Sequence, residues 1–192
     1  MANRVRLINP LAGGATRWHR QGMLVDQTVT YLEMTSPNQL RPGRAPPVEI
    51  TLDSVDATAL PLIRSTHDRI ATPHHWSSLG WSEQKWVDVL SNPAVQSWIA
   101  RIGPDVAGLV QFQAHPGPEV EITKFGLVPE FVGRGFGGHL LTLAIQLAWD
   151  ITGVERVWLH TSSLDHPHAL HNYCSRGFRP FRVERKPREI PA

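Results

Sequence analysis

The chain has 192 residues, 41% of them hydrophobic and 19% charged, with a formal net charge of +2, which predicts one globular core and does not demand a nucleic-acid partner. No apolar run is long enough to span a bilayer, and no apolar stretch follows the basic residues near the N-terminus, so we expect neither a membrane anchor nor a secretory signal. Cys174 is the sole cysteine, which excludes an intrachain disulfide and favours a cytoplasmic location.

The N-terminal part of the chain predicts an extension that leads into a single domain. We assign residues 1–45 to the extension, in which residues 29–34 are β-rich and predict an extra strand. A loop with four prolines follows at residues 36–47. Residues 46–192 are predicted to form one domain.

The sequence of this domain predicts strands and helices in a mixed order. Apolar residues alternate with period two in the predicted strands and recur at three and four residues in the predicted helices. The elements are a strand at 48–52, helices at 57–70 and 81–90, strands at 95–102, 106–114 and 119–128, a helix at 140–148, a strand at 157–161, a helix at 167–176 and a strand at 178–183. The crossover through residues 119–161 predicts two neighbouring parallel strands. The fold class is therefore α/β or α+β, with a mixed sheet and helices on both faces.

Residues 132–138 (VGRGFGG) form a glycine-rich loop between a strand and a helix. Glycines let the backbone approach a ligand closely, and the first amides of a helix lack internal partners and favour an anion. This predicts a diphosphate cradle, although a glycine-lined turn that only packs the helix on the sheet has the same pattern. The loop lacks the Lys-Ser/Thr pair of a P-loop. It also lacks the acidic residue and repeated βαβ units of a Rossmann fold.

Residues 127–141 (LVPEFVGRGFGGHLL) resemble the coenzyme A-binding motif of the GNAT superfamily of acetyltransferases. The second half of that family pattern follows at the expected distance, as a strand at 157–161, then Ala169, Tyr173 and Gly177-Phe178. The resemblance covers roughly residues 95–183. Two positions depart from it, because Val132 stands where the family has Gln or Arg, and Asp165 stands where it has Asn.

The resemblance implies a GNAT-like, mostly antiparallel twisted sheet with a central β-α-β unit and an acetyl-CoA-dependent N-acetyltransferase. The acceptor would be a primary amine of a small molecule or peptide, attacked directly in a ternary complex, and dimers are common among such proteins. Backbone amides near Leu127 and Val128 would be free to hold the pantetheine arm, and Arg134 would supply charge. The cofactor-binding residues implied are Leu127, Val128, Val132, Gly133, Arg134, Gly135, Phe136, Gly137, Gly138, His139 and Asp165.

Three residues are candidates for proton transfer. Tyr173 matches the tyrosine that protonates the leaving sulfur in such enzymes, although a tyrosine on a short helix also serves packing. Glu121 matches the position of a catalytic carboxylate in some members, and Glu119 is used in others. His160, at the end of its strand, is the other candidate base because imidazole titrates near neutral pH, although a histidine that is only hydrogen-bonded at the end of a strand fits the sequence equally well.

Two further groups of residues in the sequence allow more than one interpretation. Residues 165–171 (DHPHALH) invite a metal site near Cys174, but helix capping by Asp165 or His166 explains them, and acetyl transfer needs neither metal nor nucleophilic cysteine. Residues 74–76, with Trp81 and Trp86, either shape an acceptor pocket or fill the core; for Trp86 we favour the core. A binding module that senses acyl-CoA without turnover is the alternative function, and a longer acyl chain is the alternative donor.

Overall fold

The computed structural model describes residues 22–190, which form seven strands and four helices around one sheet. The strands are β1 (Met23–Met34), β2 (Ile50–Val55), β3 (Val95–Ile102), β4 (Asp105–His115), β5 (Glu119–Leu127), β6 (Arg156–Ser162) and β7 (Arg179–Ile190). The helices are α1 (Leu60–Ala71), α2 (Glu83–Leu90), α3 (Gly137–Trp149) and α4 (Ala169–Ser175). None of the helices within residues 22–190 has the length and apolar character needed to cross a bilayer.

The sheet runs β2-β3-β4-β5-β6-β1-β7. Every neighbouring pair is antiparallel except β5 and β6, which are parallel. The meander of β3, β4 and β5 and the parallel pair joined by α3 were both predicted, and both are confirmed. The predicted fold class, mixed and mostly antiparallel with a central β-α-β unit, is confirmed with them.

The strand expected in the N-terminal extension is longer than the sequence predicts and lies inside the sheet. β1 begins at Met23 and lies between β6 and β7, where Leu32 and Met34 are fully buried. Residues 36–43 then pack on α3 and on the residue that follows α4. The Gly43 amide donates to Thr142 Oγ1 at 2.8 Å, and the Arg41 amide donates to Arg176 O at 2.9 Å. Residues 1–21 of the predicted extension lie outside the described residues, and the boundary at residue 46 stays a prediction.

Helices cover both faces of the sheet. The Ile70 side chain of α1 lies where a Cβ on Gly126 would stand, whereas the side chain of the next residue, Leu127, lies against Gly137 of α3. Because successive side chains of a strand point to opposite faces, α1 and α3 lie on opposite sides of β5. The predicted apolar face of α3 is buried, and Trp86 of α2 is a core residue, as favoured.

The C-terminal strand shows the largest error in a predicted boundary. The sequence predicts a strand that stops at residue 183, but β7 continues to Ile190 by pairing with the N-terminal half of β1. Charged residues interrupt the alternation there, so tertiary pairing supplies what the local pattern lacks. β7 lies at the sheet edge and is mostly exposed. The paired ends, residues 23–28 of β1 and 185–190 of β7, are called the arm below.

Candidate active site

The central feature of the site is a cleft where β5 and β6 separate. Their parallel pairing covers only residues 119–121 and 156–158. Beyond that point β5 stays with β4 and β6 stays with β1. The Val128 amide donates to Ala107 O at 2.9 Å, so the expectation of a free amide at Val128 is wrong. Because amides alternate sides along a strand, the Leu127 amide points away from β4 and into the cleft.

The glycine-rich loop presents unused amides at the C-terminal end of β5. Gly133 and Gly135 adopt φ angles of 77° and 85°, a left-handed conformation that favours glycine. Among the described residues, the amides of residues 133–139 donate to no acceptor, and no side chain caps the start of α3. The helix dipole places positive potential at the same point. The loop therefore meets the requirement for an anion cradle that the sequence predicts.

Two aromatic side chains of the loop are buried in the core, and one arginine packs over them. The Phe131 and Phe136 rings are buried at a centroid separation of 6.0 Å. The Arg134 guanidinium lies over both rings, 5.2 Å and 5.6 Å from their centroids. The Phe136 side chain therefore anchors the loop in the core and leaves only its backbone to the site, while Arg134 is held beside the loop as a cation.

Helix α4 and the residue that follows it contribute two contacts to this region that the sequence did not reveal. Asn172 Nδ2 donates to Gly137 O at 3.4 Å. The Arg176 guanidinium packs so closely on Gly138 that a Cβ there would lie 2.5 Å from Nη1. Arg176 Nε and His139 Nδ1 are buried without a hydrogen-bond partner among the described residues. Of the two, Arg176 also lines the cavity described below, and its unpartnered guanidinium Nε suits a phosphate-bearing ligand.

A cavity of about 710 Å³ connects the loop to the cleft and to the arm. Eight residues predicted for the site line it: Leu127, Val132, Gly133, Gly137, Gly138, His160, Asp165 and Tyr173. Six others predicted for the site do not: Glu121, Val128, Arg134, Gly135, Phe136 and His139. The cavity has two sides, named here the loop side (residues 127–139 with α4) and the arm side (residues 67–78, Lys124 and the arm).

His160 and Glu121 form a hydrogen-bonded pair at the point where the strands separate. Glu121 is only 8% exposed, and its two carboxylate oxygens lie 3.2 Å from His160 Nδ1 and 3.0 Å from His115 Nε2. A hydrogen on His160 Nδ1 therefore faces the carboxylate, which leaves Nε2 as the acceptor. Of the three side chains in this cluster, His160 lines the cavity, whereas Glu121 and His115 do not. Glu119, the alternative carboxylate, is used in an ion pair with Arg156.

Tyr173 lines the cavity from α4, next to the cleft. Burial raises the pKa of its hydroxyl, and the negative charge of Asp165 raises it further. The hydroxyl makes no hydrogen bond within the described residues. Tyr173 therefore stays protonated at neutral pH and keeps its donor available to a ligand.

Asp165 is a fixed structural carboxylate. One oxygen accepts from Trp76 Nε1 at 2.9 Å, and the other accepts from Thr161 Oγ1 and the Ser162 amide, both at 2.7 Å. It does not cap α4, nor does His166, because the helix begins after His168 without a side-chain cap; the capping explanation is wrong. Within residues 22–190, no three His, Cys, Asp or Glu side chains are arranged to share a metal ion.

The arm side depends on a buried histidine that the sequence analysis did not single out. The His67 imidazole is fully buried, with Nε2 at 2.7 Å from Ser78 Oγ and Nδ1 at 2.8 Å from Asp68 Oδ1. Burial lowers the pKa of His67, in spite of the opposing hydrogen bond to Asp68. This neutral imidazole connects α1 to the turn at Ser77–Gly80 by its hydrogen bond to Ser78. Its ring packs against the rings of Trp76 and Trp86.

The segment between α1 and that turn brings aromatic and imidazole groups into the cavity. His75 adopts a left-handed conformation with φ of 51°, the one positive φ at a residue other than glycine among the described residues. As a result His74 and Trp76 both line the cavity, whereas Trp81 does not. Of the expected acceptor pocket, therefore, His74 and Trp76 face the cavity and the other two tryptophans pack with the core.

Comparison with protein-family models gives a match to the acetyltransferase (GNAT) family over residues 62–178, more than half of the chain. The chain belongs to this family. The match includes the cleft, the glycine-rich loop, His160 and Tyr173, so the GNAT resemblance found in the sequence is confirmed. No curated protein matches the chain significantly.

Solved structures show the same GNAT fold at low sequence identity. A conserved protein of unknown function from Staphylococcus epidermidis aligns with a TM-score of 0.65 and 15% identity, covering 88% of this chain and 64% of that one. A GCN5-related N-acetyltransferase from Kribbella flavida aligns with a TM-score of 0.60 and 14% identity, covering 86% and 58%. The chain thus spans less than two thirds of either relative's length.

An aminoglycoside acetyltransferase from an uncultured soil metagenomic sample, solved with sisomicin, aligns with a TM-score of 0.55 and 14% identity. This alignment covers 66% of the present chain and 86% of the other. At these identities the three alignments support the fold alone.

Proposed function

We propose that this GNAT protein is an N-acetyltransferase that binds acetyl-CoA on the loop side and acetylates a primary amine of a small molecule or peptide. The observation that carries the proposal is the single cavity that joins free loop amides, the Leu127 amide, Tyr173 and His160. Bound acetyl-CoA would supply an activated acetyl thioester.

The loop side fits the coenzyme by its donors. The amides of residues 133–139 would hold the diphosphate, with Arg134, His139 and Arg176 adding charge or donors beside them. The glycines leave open space in front of the amides, since nothing lies within 4 Å of a Cβ placed on Gly133 or Gly135. The Leu127 amide, in the cleft, would donate to the thioester carbonyl and to the oxyanion that develops on it.

Proton transfer is divided between the two catalytic side chains. His160 Nε2, oriented by Glu121, would take a proton from the ammonium so that the nitrogen can attack. The new N–C bond forms as the C–S bond breaks, and Tyr173 would give its proton to the departing sulfur. The proton that the nitrogen loses on acylation then restores the Tyr173 hydroxyl. The net change is an amide, a thiol and one released proton.

The first test separates binding from turnover. Calorimetry with acetyl-CoA, followed by a thiol-release assay over a panel of amines, should show micromolar binding and amine-dependent release. Binding without release for any amine would instead identify an acyl-CoA-binding module.

Tyr173→Phe tests the acid. We expect kcat to fall about 100-fold, as for loss of a general acid, with the Kd of acetyl-CoA changed by less than about twofold. Tyr31→Phe is the matched control, because Tyr31 also lines the cavity but donates its hydroxyl to Glu184. We expect the control to lose about threefold at most. A large loss of coenzyme affinity with normal kcat in Tyr173→Phe would contradict the assigned role.

A further inference from the structure

The cavity is lined by an excess of positive charge. Among the described residues, four lysine or arginine side chains reach it, Lys124, Arg176, Lys186 and Arg188, against one carboxylate, that of Asp165. Arg176 lies against Gly138 on the loop side, where the coenzyme phosphates would lie. The other three lie on the arm side, where the proposed reaction places the acceptor.

The carboxylate of Asp165 is largely engaged by the protein itself. Its two oxygens already accept three hydrogen bonds, so among the described lining residues little carboxylate capacity is left for a second ammonium group of an acceptor. His74 and His166 stand nearby with ring centroids 6.1 Å apart. Burial lowers the pKa of His166, and the charges of His168 and His74 lower it further. Protonation of these rings would only add positive charge.

Among the described arm-side residues, Lys124 is a cation that combines partial burial with the lack of an ion pair. Its side chain is half-buried and makes no ion pair within the described residues, and its Nζ lies over the Trp81 ring at 4.9 Å. It stands on β5 three residues before Leu127, whose amide faces the cleft. Arg188 is partly occupied, since its guanidinium donates to His75 O. Lys186 projects from the arm opposite Gln27.

We infer that the acceptor is an amine that carries an anionic group, a carboxylate or a phosphate, which Lys124 binds together with Lys186. The inference rests on the proposed transferase function and narrows its acceptor. An anion on the arm side would give Lys124 its missing partner and would hold the amine between His160 and the thioester. A polycationic acceptor would face three cations, Lys124, Lys186 and Arg188, on the same side of the cavity.

The burial of Lys124 supports the same conclusion. Burial lowers the pKa of its ammonium to about 8, against the opposing attraction of Glu121. Keeping this cation half-buried without a partner therefore costs stability. A bound anion removes that cost and strengthens its own binding in the same step.

Matched amines test the inference. Thiol release is measured with 4-aminobutanoate, β-alanine and several α-amino acids, each against its primary amide, with O-phosphoethanolamine against ethanolamine, and with sisomicin as a polycation. We expect at least one anionic amine to exceed its neutral twin by about tenfold or more in kcat/KM. The amide's amine loses its proton at least as readily as the acid's, so reactivity alone favours the amide. The carboxylate and phosphate pairs show which anion is recognised.

Lys124→Met should reduce that preference about fivefold or more, since it removes the cation and keeps the apolar stem. Lys85→Met is the matched control, because Lys85 also lies over the Trp81 ring, at 5.9 Å, but does not line the cavity. It should leave the preference unchanged. Two outcomes would overturn the inference but leave the proposed function standing. One is turnover confined to neutral amines or sisomicin, and the other is a preference for anionic amines that Lys124→Met leaves intact. Binding of acetyl-CoA without release for any amine overturns the proposed function and the inference with it.

Discussion

The two sides of the cavity are built in different ways. The loop side offers main-chain amides of one continuous segment, residues 133–139, shaped by two glycines with positive φ. The arm side offers side chains from α1, β5, β1 and β7, which lie far apart in the chain. Backbone donors suit a ligand part that never changes, such as a diphosphate, whereas side chains can vary to suit an acceptor. If the proposed function holds, the arm side is therefore where acceptor specificity would lie.

The largest expected effect lies where the two sides meet. His160→Ala should lower kcat/KM about 100-fold at neutral pH, because it removes the proposed base, while the Kd of acetyl-CoA changes by less than about twofold. His115→Ala is the control, since His115 shares the Glu121 carboxylate but does not line the cavity. Steady-state kinetics with calorimetry would check both. Equal losses in the two variants would mean that the Glu121 cluster only stabilises the strands.

An intermediate effect should be confined to the loop side. Gly135→Ala should raise the Kd of acetyl-CoA about tenfold, because an L-residue resists φ of 85° and the loop amides lose their alignment. Gly117→Ala carries similar backbone strain, at φ of 95°, in the turn between β4 and β5, and a Cβ there also meets nothing within 4 Å. Calorimetry should find normal affinity in this control. Similar affinity losses in both variants would show that global destabilisation, not the loop, is responsible.

The smallest expected effect is a pH dependence on the arm side. Lys124, which faces Glu121 of its own strand, His67 of α1 and the Trp81 ring, is charged below its pKa of about 8 and loses that charge as the pH rises through it. The kcat/KM ratio of 4-aminobutanoate to its amide should therefore fall severalfold between pH 7 and pH 9. In Lys124→Met the ratio should stay flat. A wild-type ratio that rises with pH would show that another group recognises the anion.

Sequence and structure contribute unequally to these two sides. The loop side is specified by local sequence: glycine spacing, a preceding strand and a following amphipathic helix act within about 15 residues of one another. For this reason the parallel crossover, the free amides and the family were all predicted. The hydrogen bond of the Val128 amide was not predicted, because its acceptor, Ala107 O, belongs to another strand.

The arm side was decided by tertiary structure alone. No local pattern shows that β1 lies between β6 and β7, that β7 continues to Ile190, or that Asp165 is held by Trp76. A sequence shows a lysine at position 124 but not its burial or its lack of a partner. The burial of a side chain and its ion pairing depend on residues that are distant in the chain. Burial and ion pairing together determine the charge of a cavity. The sequence by itself thus determined the fold family and the glycine-rich loop with its unused amides, and only the packed structure decided the charge of the arm side.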